Sequence, residues 1–211
     1  MTIKLYCFGE SGNAYKAALA MEMAGVDWEP VYVDFFNGEA RTPEYRETVN
    51  EMGEVPVMID GDVHLSQSGA IQQYLIDKTG MLGGRPEDKY EVLRWVFWDN
   101  HKLSPQAGMV RFLLNFIPEE KRPLDAIAFL QARMDSAYDV LDKRLAGRDW
   151  VVGDHLTVAD ICCCSYLFYP EPYGFVRGDW AHIDSWLARI EADPRWKHPY
   201  DLMPRAWTAR T

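Results

Sequence analysis

A stretch of the chain between residues 54 and 75 suits the binding of an extended peptide with a free acid end. Pro56 stands at the head of a predicted strand, because a proline cannot donate to a sheet and belongs at a strand start or an edge. A cis bond at Val55–Pro56, accessible for an X-Pro pair, would leave the Val55 backbone free to pair with a peptide. Gln67 and Ser68 open a predicted helix, where unpaired N–H groups suit a carboxylate.

Two further polar residues, Ser11 and Asn13, lie between the first predicted strand and the first predicted helix. Serine and asparagine favour turns and helix N-caps, so a capping role is an alternative to a chemical one. The same alternative applies to Gln67 and Ser68, and the two roles can coexist.

The elements around these residues form an α/β unit. Residues 3–8 alternate in character and predict a strand, residues 9–13 a turn, and the next residues a helix that ends at Gly25. Val31, Val33 and Phe35 alternate in a second strand, which predicts a parallel pair with a right-handed crossover. A short helix around Pro43–Thr48, a hairpin with a turn at Asp60-Gly61-Asp62 and a helix ending near residue 79 complete the unit.

The composition changes at residues 80–86, which are rich in glycine and read as a linker. Beyond them strand-like alternation disappears, and three apolar stripes at helical spacing predict an all-helical region. We therefore expect two domains, an α/β domain at 1–79 and an all-helical domain at 87–211, which are joined by a glycine-rich linker at 80–86.

One helix start in the second domain is unusually well specified. Thr157 and Asp160 have the spacing of a capping box, and Leu156 and Ile161 flank them as a hydrophobic staple. The three consecutive cysteines at 162–164 follow inside this helix. Consecutive helical residues point about 100° apart, so these cysteines cannot converge on a metal, and we expect them to pack in the core.

The overall composition narrows the class of protein. The 211 residues are 48% hydrophobic and 13% aromatic, which is ample for a buried core, and the net charge of −10 argues against nucleic acid as a partner. There is neither a signal-peptide pattern nor an apolar run of the ~18 residues needed to cross a membrane. Four cysteines do not form a disulfide framework, and the five histidines share no ligand spacing. We expect a cytoplasmic protein without a metal or a membrane partner.

Taken together, these motifs resemble the cytosolic glutathione transferase family. The resemblance rests on the order and spacing of Val55-Pro56, the turn at residue 61, Gln67-Ser68 and the capping box that follows about 90 residues later. It implies a thioredoxin-like N-terminal domain with a cis proline at Pro56, an all-helical C-terminal domain and a homodimer. It also implies glutathione as co-substrate and no metal.

The family's binding roles transfer to this chain residue by residue. Val55, followed by Pro56, would pair its backbone with the cysteinyl part of glutathione, while Gln67 and Ser68 would hold the γ-glutamyl end. Arg41 would hold the glycine carboxylate. The chain departs from the family at Glu54, where a basic or amide residue is frequent, and at Gln67, where Glu is common.

The reactive position lies in the segment 10–16. Ser11 falls where serine-type transferases carry the hydroxyl that hydrogen-bonds the glutathione sulfur, and Asn13 falls where nu-class relatives carry a thiolate-contacting asparagine. Such a donor favours the thiolate, which is the nucleophile.

The resemblance implies attack of this thiolate on a small hydrophobic electrophile, a reaction typical of detoxification. Candidate residues of the acceptor pocket are Phe8, Phe36, Met109 and Phe112. Two alternatives stay open: a glutathione-dependent disulfide reductase, suggested by Asn13, and a non-catalytic binding or stress protein that reuses the fold.

Overall fold

The computed structural model describes residues 2–206, and these form two compact units. The first unit contains residues 2–82 together with residues 195–206, and the second contains residues 83–194. The C-terminal segment 195–206 therefore packs with the first unit, whereas its sequence placed it with the helical region. Two contacts to the first helix explain this: the Tyr15 hydroxyl donates to the Lys197 carbonyl at 2.8 Å, and the Arg195 guanidinium donates to the Met23 carbonyl at 2.6 Å.

The first unit is built on one mixed sheet. Its strands are β1 (Ile3–Cys7), β2 (Trp28–Tyr32), β3 (Val57–Asp60) and β4 (Val63–Ser66), in the spatial order β2-β1-β3-β4. β1 and β2 are parallel, as predicted, and the other two pairs are antiparallel. This arrangement places the start of β3, and thus Val55 and Pro56, beside the end of β1.

The second strand begins earlier than predicted. It covers Trp28–Tyr32, with Pro30 inside it, because β2 lies at the edge of the sheet, where a proline is tolerated. Val33 follows the strand and is fully buried against Ala40 and Tyr45, and its N–H still bonds the Cys7 carbonyl at 3.0 Å. The apolar alternation of Val31, Val33 and Phe35 thus indicates burial of Val33 correctly, but it places β2 too late in the chain.

The α-helices are, in chain order, α1 (Gly12–Ala24), α2 (Pro43–Thr48), α3 (Ser68–Thr79), α4 (Lys89–Trp98), α5 (Ser104–Asn115), α6 (Leu124–Leu145), α7 (Val158–Cys164), α8 (Ala181–Glu191) and α9 (Pro199–Leu202). α1 ends at Gly25, which caps it in the left-handed conformation with a φ of 67°. A π-helical segment, Asp99–Leu103, connects α4 directly to α5. Within the described residues the second unit holds helices and no strand, as the sequence predicts.

The predicted capping box forms at the start of α7. The carboxylate of Asp160 is fully buried and accepts hydrogen bonds from the Thr157 N–H at 2.9 Å and from the Trp186 indole N–H at 3.0 Å. It also accepts from the Val151 N–H at 2.8 Å, so one side chain joins α7, α8 and the loop before α7. The three cysteines of α7 are at most 1% exposed, which confirms their packing role.

Candidate active site

Ser11 lies at the N-cap of α1 with a half-buried side chain. Its backbone is extended, with φ −86° and ψ 106°, and its Oγ accepts a hydrogen bond from the Ala14 N–H at 3.1 Å. Within residues 2–206 nothing accepts a hydrogen bond from the Ser11 hydroxyl. The hydroxyl therefore caps the helix through its oxygen and keeps its hydrogen available for a ligand, so the capping role and the chemical role are compatible.

Asn13 is the second residue of α1 and is also half-buried. Its Oδ1 is buried and has no hydrogen-bond partner among the described residues. An unmet hydrogen bond on a buried polar atom costs about 1–3 kcal/mol. The positive end of the α1 dipole and the free N–H groups of its first turn lie at the same place, which favours an anion here.

Val55 and Pro56 precede β3 and are joined by a cis peptide bond, as expected. No residue in the described part of the chain forms a hydrogen bond with the Val55 backbone. The preceding carbonyl, that of Glu54, accepts from the Tyr45 hydroxyl at 3.1 Å and from the Asn50 side chain at 3.0 Å. This loop is thus held firmly while Val55 keeps a free donor and a free acceptor.

The roles of Tyr45 and Asn50 were not foreseen from the sequence. Neither residue belongs to a motif that the sequence analysis identified. Gly53, with a φ of 68°, is required here, because an added Cβ would lie 2.8 Å from the Ala40 carbonyl and from the Arg46 guanidinium.

Gln67 is the N-cap of α3 and has an unusual backbone conformation. Its φ is 69° and its ψ 117°, a region that costs a side-chain-bearing residue about 1–3 kcal/mol. Its exposed amide donates to the Glu54 carboxylate at 3.2 Å and lies 3.5 Å from the Met52 sulfur. Strain of this kind marks functional positions, and here it aims the Gln67 side chain at Glu54.

Ser68 is the first residue of α3 and is 5% exposed. Its hydroxyl has no hydrogen-bond partner among residues 2–206, and it lies where the first N–H groups of the helix are unpaired. This arrangement can bind a carboxylate.

Arg41 ends a short 3-10 helix, Glu39–Arg41, and its side chain is exposed. Within the described residues no carboxylate pairs with it. A second arginine, Arg46, instead packs against Gly53 and donates to the Glu51 carbonyl at 3.1 Å. Arg41 is therefore the cation of this region that stays available to an anionic ligand.

The four candidate acceptor residues occur in two groups. Phe8 and Phe36 contact each other with ring centroids 5.8 Å apart, and Phe35 stacks on Phe8 at 4.7 Å. Met109 and Phe112 lie three residues apart on α5 of the second unit and are 48% and 37% exposed. Phe8 is 5% exposed and packs in the core of the first unit, so the apolar surface open to a ligand comes from Phe36 there and from Met109 and Phe112 on α5.

The protein's own thiols are poorly placed for nucleophilic chemistry. All four cysteines are buried, and burial raises the pKa of the Cys7 thiol to about 12 and that of Cys164 well above its ordinary value. Cys7 packs in β1, as expected. A thiolate acting at this site has to come from a ligand.

Residues 2–206 contain no group of three or more metal-binding side chains, and none of their helices is long and apolar enough to span a bilayer.

Comparison with known proteins accounts for both units. The family description "Glutathione S-transferase, N-terminal domain" matches residues 1–77, and "Glutathione S-transferase, C-terminal domain" matches residues 105–194. Among curated relatives, glutathione S-transferase 4 of Zea mays is 29% identical, with 96% of this chain and 93% of the relative covered. The disulfide-bond oxidoreductase YfcG of Escherichia coli is 28% identical, with 91% of each chain covered.

Solved structures of glutathione transferases have the same fold as this chain. A glutathione S-transferase from Pseudomonas fluorescens superimposes with a TM-score of 0.86 at 29% identity, over 94% of this chain and 99% of that one. A glutathione transferase from Burkholderia graminis, solved with two glutathione molecules per subunit, gives a TM-score of 0.82 at 28% identity, over 92% and 85%. The chain belongs to the glutathione S-transferase family.

Proposed function

We propose that this protein is a glutathione transferase that uses Ser11 and Asn13 to activate the glutathione thiol. The observation that carries this proposal is the start of α1, where a hydroxyl with a free hydrogen and an unpartnered buried amide oxygen lie at the positive end of a helix. The hydroxyl hydrogen and the positive helix end favour an anion at this point, whereas the Asn13 oxygen can accept a hydrogen bond from a ligand. A thiolate is the anion that transferase chemistry needs.

The reaction begins with loss of the thiol proton to solvent. A free thiol has a pKa near 8.5, and a hydrogen bond from the Ser11 hydroxyl to sulfur, with help from the Asn13 amide, lowers it. The thiolate then attacks an electrophilic carbon. The carbon–sulfur bond forms while the leaving group departs with its electron pair, so the protein contributes pKa depression and positioning and forms no covalent bond.

Glutathione would be held along one side of the sheet. The free N–H and carbonyl of Val55 would pair with its cysteinyl residue, and Pro56 would fix that edge. Ser68 and the first turn of α3 would bind the γ-glutamyl carboxylate. Arg41, exposed and without a carboxylate partner in the described chain, would bind the glycine carboxylate.

The γ-glutamyl amine would lie beside Gln67 and Glu54. Gln67 is neutral where the family commonly has a Glu, yet the Glu54 carboxylate is 3.2 Å from its amide. Glu54 thus supplies the negative charge that an ammonium group requires. Two apparent departures from the family pattern therefore compensate each other.

The acceptor substrate is proposed to be a small hydrophobic electrophile, as in detoxification. Phe36, supported by an edge contact with the buried ring of Phe8, provides an aromatic surface in the first unit, and Met109 and Phe112 an exposed apolar surface in the second. Such side chains select for size and hydrophobicity and not for one compound.

A second candidate function is glutathione-dependent disulfide reduction. It is favoured by Asn13 and by the likeness to the oxidoreductase YfcG, and the two glutathione molecules bound to the B. graminis protein fit a reaction that consumes two thiols. Here the thiolate attacks sulfur, a mixed disulfide forms and a substrate thiolate leaves. A second glutathione then resolves the mixed disulfide and becomes oxidised with the first.

A direct test compares two substrates with the same enzyme and glutathione concentration. Isothermal titration with glutathione comes first, followed by initial rates with 1-chloro-2,4-dinitrobenzene and with the mixed disulfide of glutathione and 2-mercaptoethanol. We expect binding and a higher kcat/KM with the aryl halide. Turnover of the disulfide alone would replace the first proposal by the second, and failure to bind glutathione would leave a non-catalytic protein.

We further propose that the protein works as a homodimer in the cytoplasm, without a nucleic-acid or membrane partner. Support comes from family membership and from the net charge of −10, which disfavours binding to phosphate backbones. Multi-angle light scattering at micromolar concentration would give twice the 24.3 kDa chain mass for a dimer.

A further inference from the structure

The turn that presents Ser11 is held by the C-terminal segment of the chain. The Ser11 N–H donates to the Phe8 carbonyl at 3.1 Å and closes a tight turn between β1 and α1. Gly9 and Glu10 are its two central residues, and the Gly9 N–H donates to the Pro204 carbonyl at 2.6 Å. The contact with residue 204 therefore helps to fix the point at which α1 begins.

Glu10 brings a negative charge into this turn. Its side chain is only 1% exposed, and one carboxylate oxygen accepts from the Ala206 N–H at 2.9 Å. A charge removed from water is costly unless hydrogen bonds and an opposite charge offset it. The other carboxylate oxygen lies 3.7 Å from Nε of Arg205, which supplies a positive charge.

The charge of Glu10 acts beyond its own turn. Tyr32 is the last residue of β2 and pairs with Cys7 of β1 in the sheet register. Burial raises the pKa of the Tyr32 phenol, and the negative charges of Asp34, Glu10 and Glu39 raise it further. An anion bound at the start of α1 is therefore repelled by the same carboxylate unless a cation offsets it.

Arg205 is held in a position from which it can act on Glu10. Its guanidinium lies over the Tyr200 ring, 4.0 Å from the ring centroid, and the same ring packs against Gly9. This cation–π contact restricts a side chain that is otherwise about half exposed. The positive charge of Arg205 thus stays beside the carboxylate.

We propose that Arg205 is a positioning residue for thiol activation, which acts through Glu10. It holds the Glu10 carboxylate against the C-terminal segment and offsets its negative charge, so that the start of α1 attracts the glutathione thiolate. This inference rests on the proposed function, because it concerns the thiolate bound at Ser11. It adds to that function a residue from the opposite end of the chain.

The test follows the thiolate absorbance of the glutathione complex against pH in the full chain. A charge in direct contact shifts a pKa by about 1–3 units, so Arg205→Gln, acting through Glu10, should raise the thiol pKa by about 0.5–1 unit. The kcat/KM with 1-chloro-2,4-dinitrobenzene should fall about 3- to 10-fold below the thiol pKa and approach the wild-type value well above it. Arg205→Lys keeps the charge and should restore most of both properties.

Glu10→Gln shows whether the effect passes through this carboxylate. The new amide oxygen can still accept from the Ala206 N–H, but the negative charge is gone. In this background Arg205→Gln should leave the thiol pKa unchanged. An equal rise in both backgrounds would mean that Arg205 acts on the thiolate directly, and the proposal would be wrong.

Lys197→Gln is the matched control, because Lys197 lies in the same segment but pairs with Glu22, near the other end of α1, at 3.0 Å. It should leave the thiol pKa and the pH profile unchanged. If Arg205→Gln behaved like this control, or lowered kcat/KM equally at every pH, the proposal would be overturned.

The same measurements separate this proposal from the proposed function. A thiol pKa that responds to Ser11→Ala but not to Arg205→Gln would overturn the role of Arg205 and leave the role of Ser11 intact. Failure of the wild type to bind glutathione would overturn both.

Discussion

The backbone N–H of Gly9 donates a 2.6 Å hydrogen bond to the carbonyl of Pro204, so the C-terminal segment is attached to the loop that leads into α1. The next residue strengthens this attachment. The Glu10 carboxylate is almost completely buried, accepts from the Ala206 N–H at 2.9 Å and lies 3.7 Å from the Arg205 guanidinium. The position of Ser11 therefore depends on residues almost 200 positions away in the chain.

Gly9→Ala should disturb this attachment. An added Cβ would lie 3.2 Å from the Pro204 carbonyl oxygen and 3.2 Å from the Tyr200 ring, closer than most real contacts. We expect a loss of about 1–3 kcal/mol in the free energy of unfolding, as for other overpacked sites, together with a lower kcat/KM for glutathione. Thermal unfolding and steady-state kinetics measure both.

Gly178→Ala serves as the control, since nothing lies within 4 Å of the added Cβ there. If Gly9→Ala behaved like this control in both measurements, the C-terminal segment would have no role in positioning Ser11.

Ser11→Ala removes both the cap of α1 and the proposed donor to sulfur. The cap accounts for a loss of about 0.5–2 kcal/mol in stability. Loss of a hydrogen bond to a charged sulfur, worth about 1.5–3 kcal/mol, should lower kcat/KM roughly 10- to 100-fold. The pKa of the bound thiol should rise by about one to two units. The thiolate absorbance of the glutathione complex, followed against pH, measures that pKa.

Ser11→Thr keeps the hydroxyl and the cap, so most activity and the low thiol pKa should return. An unchanged pH–rate profile in Ser11→Ala would rule out the role in thiol activation. Asn13→Ala, tested in parallel, measures how much the Asn13 amide contributes to the low thiol pKa and to kcat/KM.

Gln67→Gly should separate strain from function. Glycine adopts a φ of 69° freely, so relief of strain, less the entropy cost of glycine, should raise the free energy of unfolding by about 1 kcal/mol. Loss of the amide should at the same time weaken glutathione binding. Denaturant unfolding and calorimetric titration measure the two effects.

Gln67→Ala keeps the backbone strain and removes the amide, so it should weaken binding without the gain in stability. Equal stability of the Gly and Ala variants would mean that the positive φ carries no energetic cost.

Glu54→Gln should weaken glutathione binding by removing the negative charge beside Gln67. The loss of affinity should occur only with a ligand that carries the γ-glutamyl amine. Glutathione should lose about tenfold in affinity, the order of one charge-assisted hydrogen bond, while the analogue without the γ-glutamyl amine should lose little. Competition calorimetry with both ligands measures the ratio.

Glu51→Gln provides the matched control, because this exposed carboxylate lies in the same loop and forms no hydrogen bond or ion pair within residues 2–206. Equal losses for the two ligands in Glu54→Gln would show that the carboxylate does not bind the amine.

Glu91 links stability to pH in the helical unit. Its carboxylate binds Arg94 at 2.6 Å and Arg144 at 3.0 Å, and the hydrogen bond from Arg94 is the main reason that its pKa falls from 4.5 to about 2. Because the folded-state pKa is the lower one, this stabilisation is present above pH 4.5 and is lost as the pH falls towards 2.

Glu91→Gln should therefore lower the free energy of unfolding at pH 7 by about 1 kcal/mol, a figure reduced for solvent screening of a partly exposed group. The difference from wild type should shrink when unfolding is measured at decreasing pH below 4.5. Glu120→Gln, at an exposed carboxylate, should show no such trend. A constant difference across the pH range would contradict the assignment.

Local features of this chain were determined by its sequence alone. The cap at Ser11, the end of α1 at Gly25, the helix Pro43–Thr48 and the capping box of Thr157 follow from rules that involve neighbours only a few residues apart. The cis bond at Pro56 was expected from the family resemblance. The apolar periodicity likewise predicted the α/β and helical halves, and the order of the motifs indicated the family.

Tertiary structure decided the relationships between residues that are distant in sequence. Glu54 looked like a departure until it was found beside Gln67, and Pro204 gave no signal of its contact with Gly9. β2 begins earlier than predicted for a similar reason, since its bounds are decided by which residues pair with Ile3–Cys7 of β1. Hydrogen-bonding rules and periodicity act over a few residues, whereas the packing of remote segments depends on the whole path of the chain.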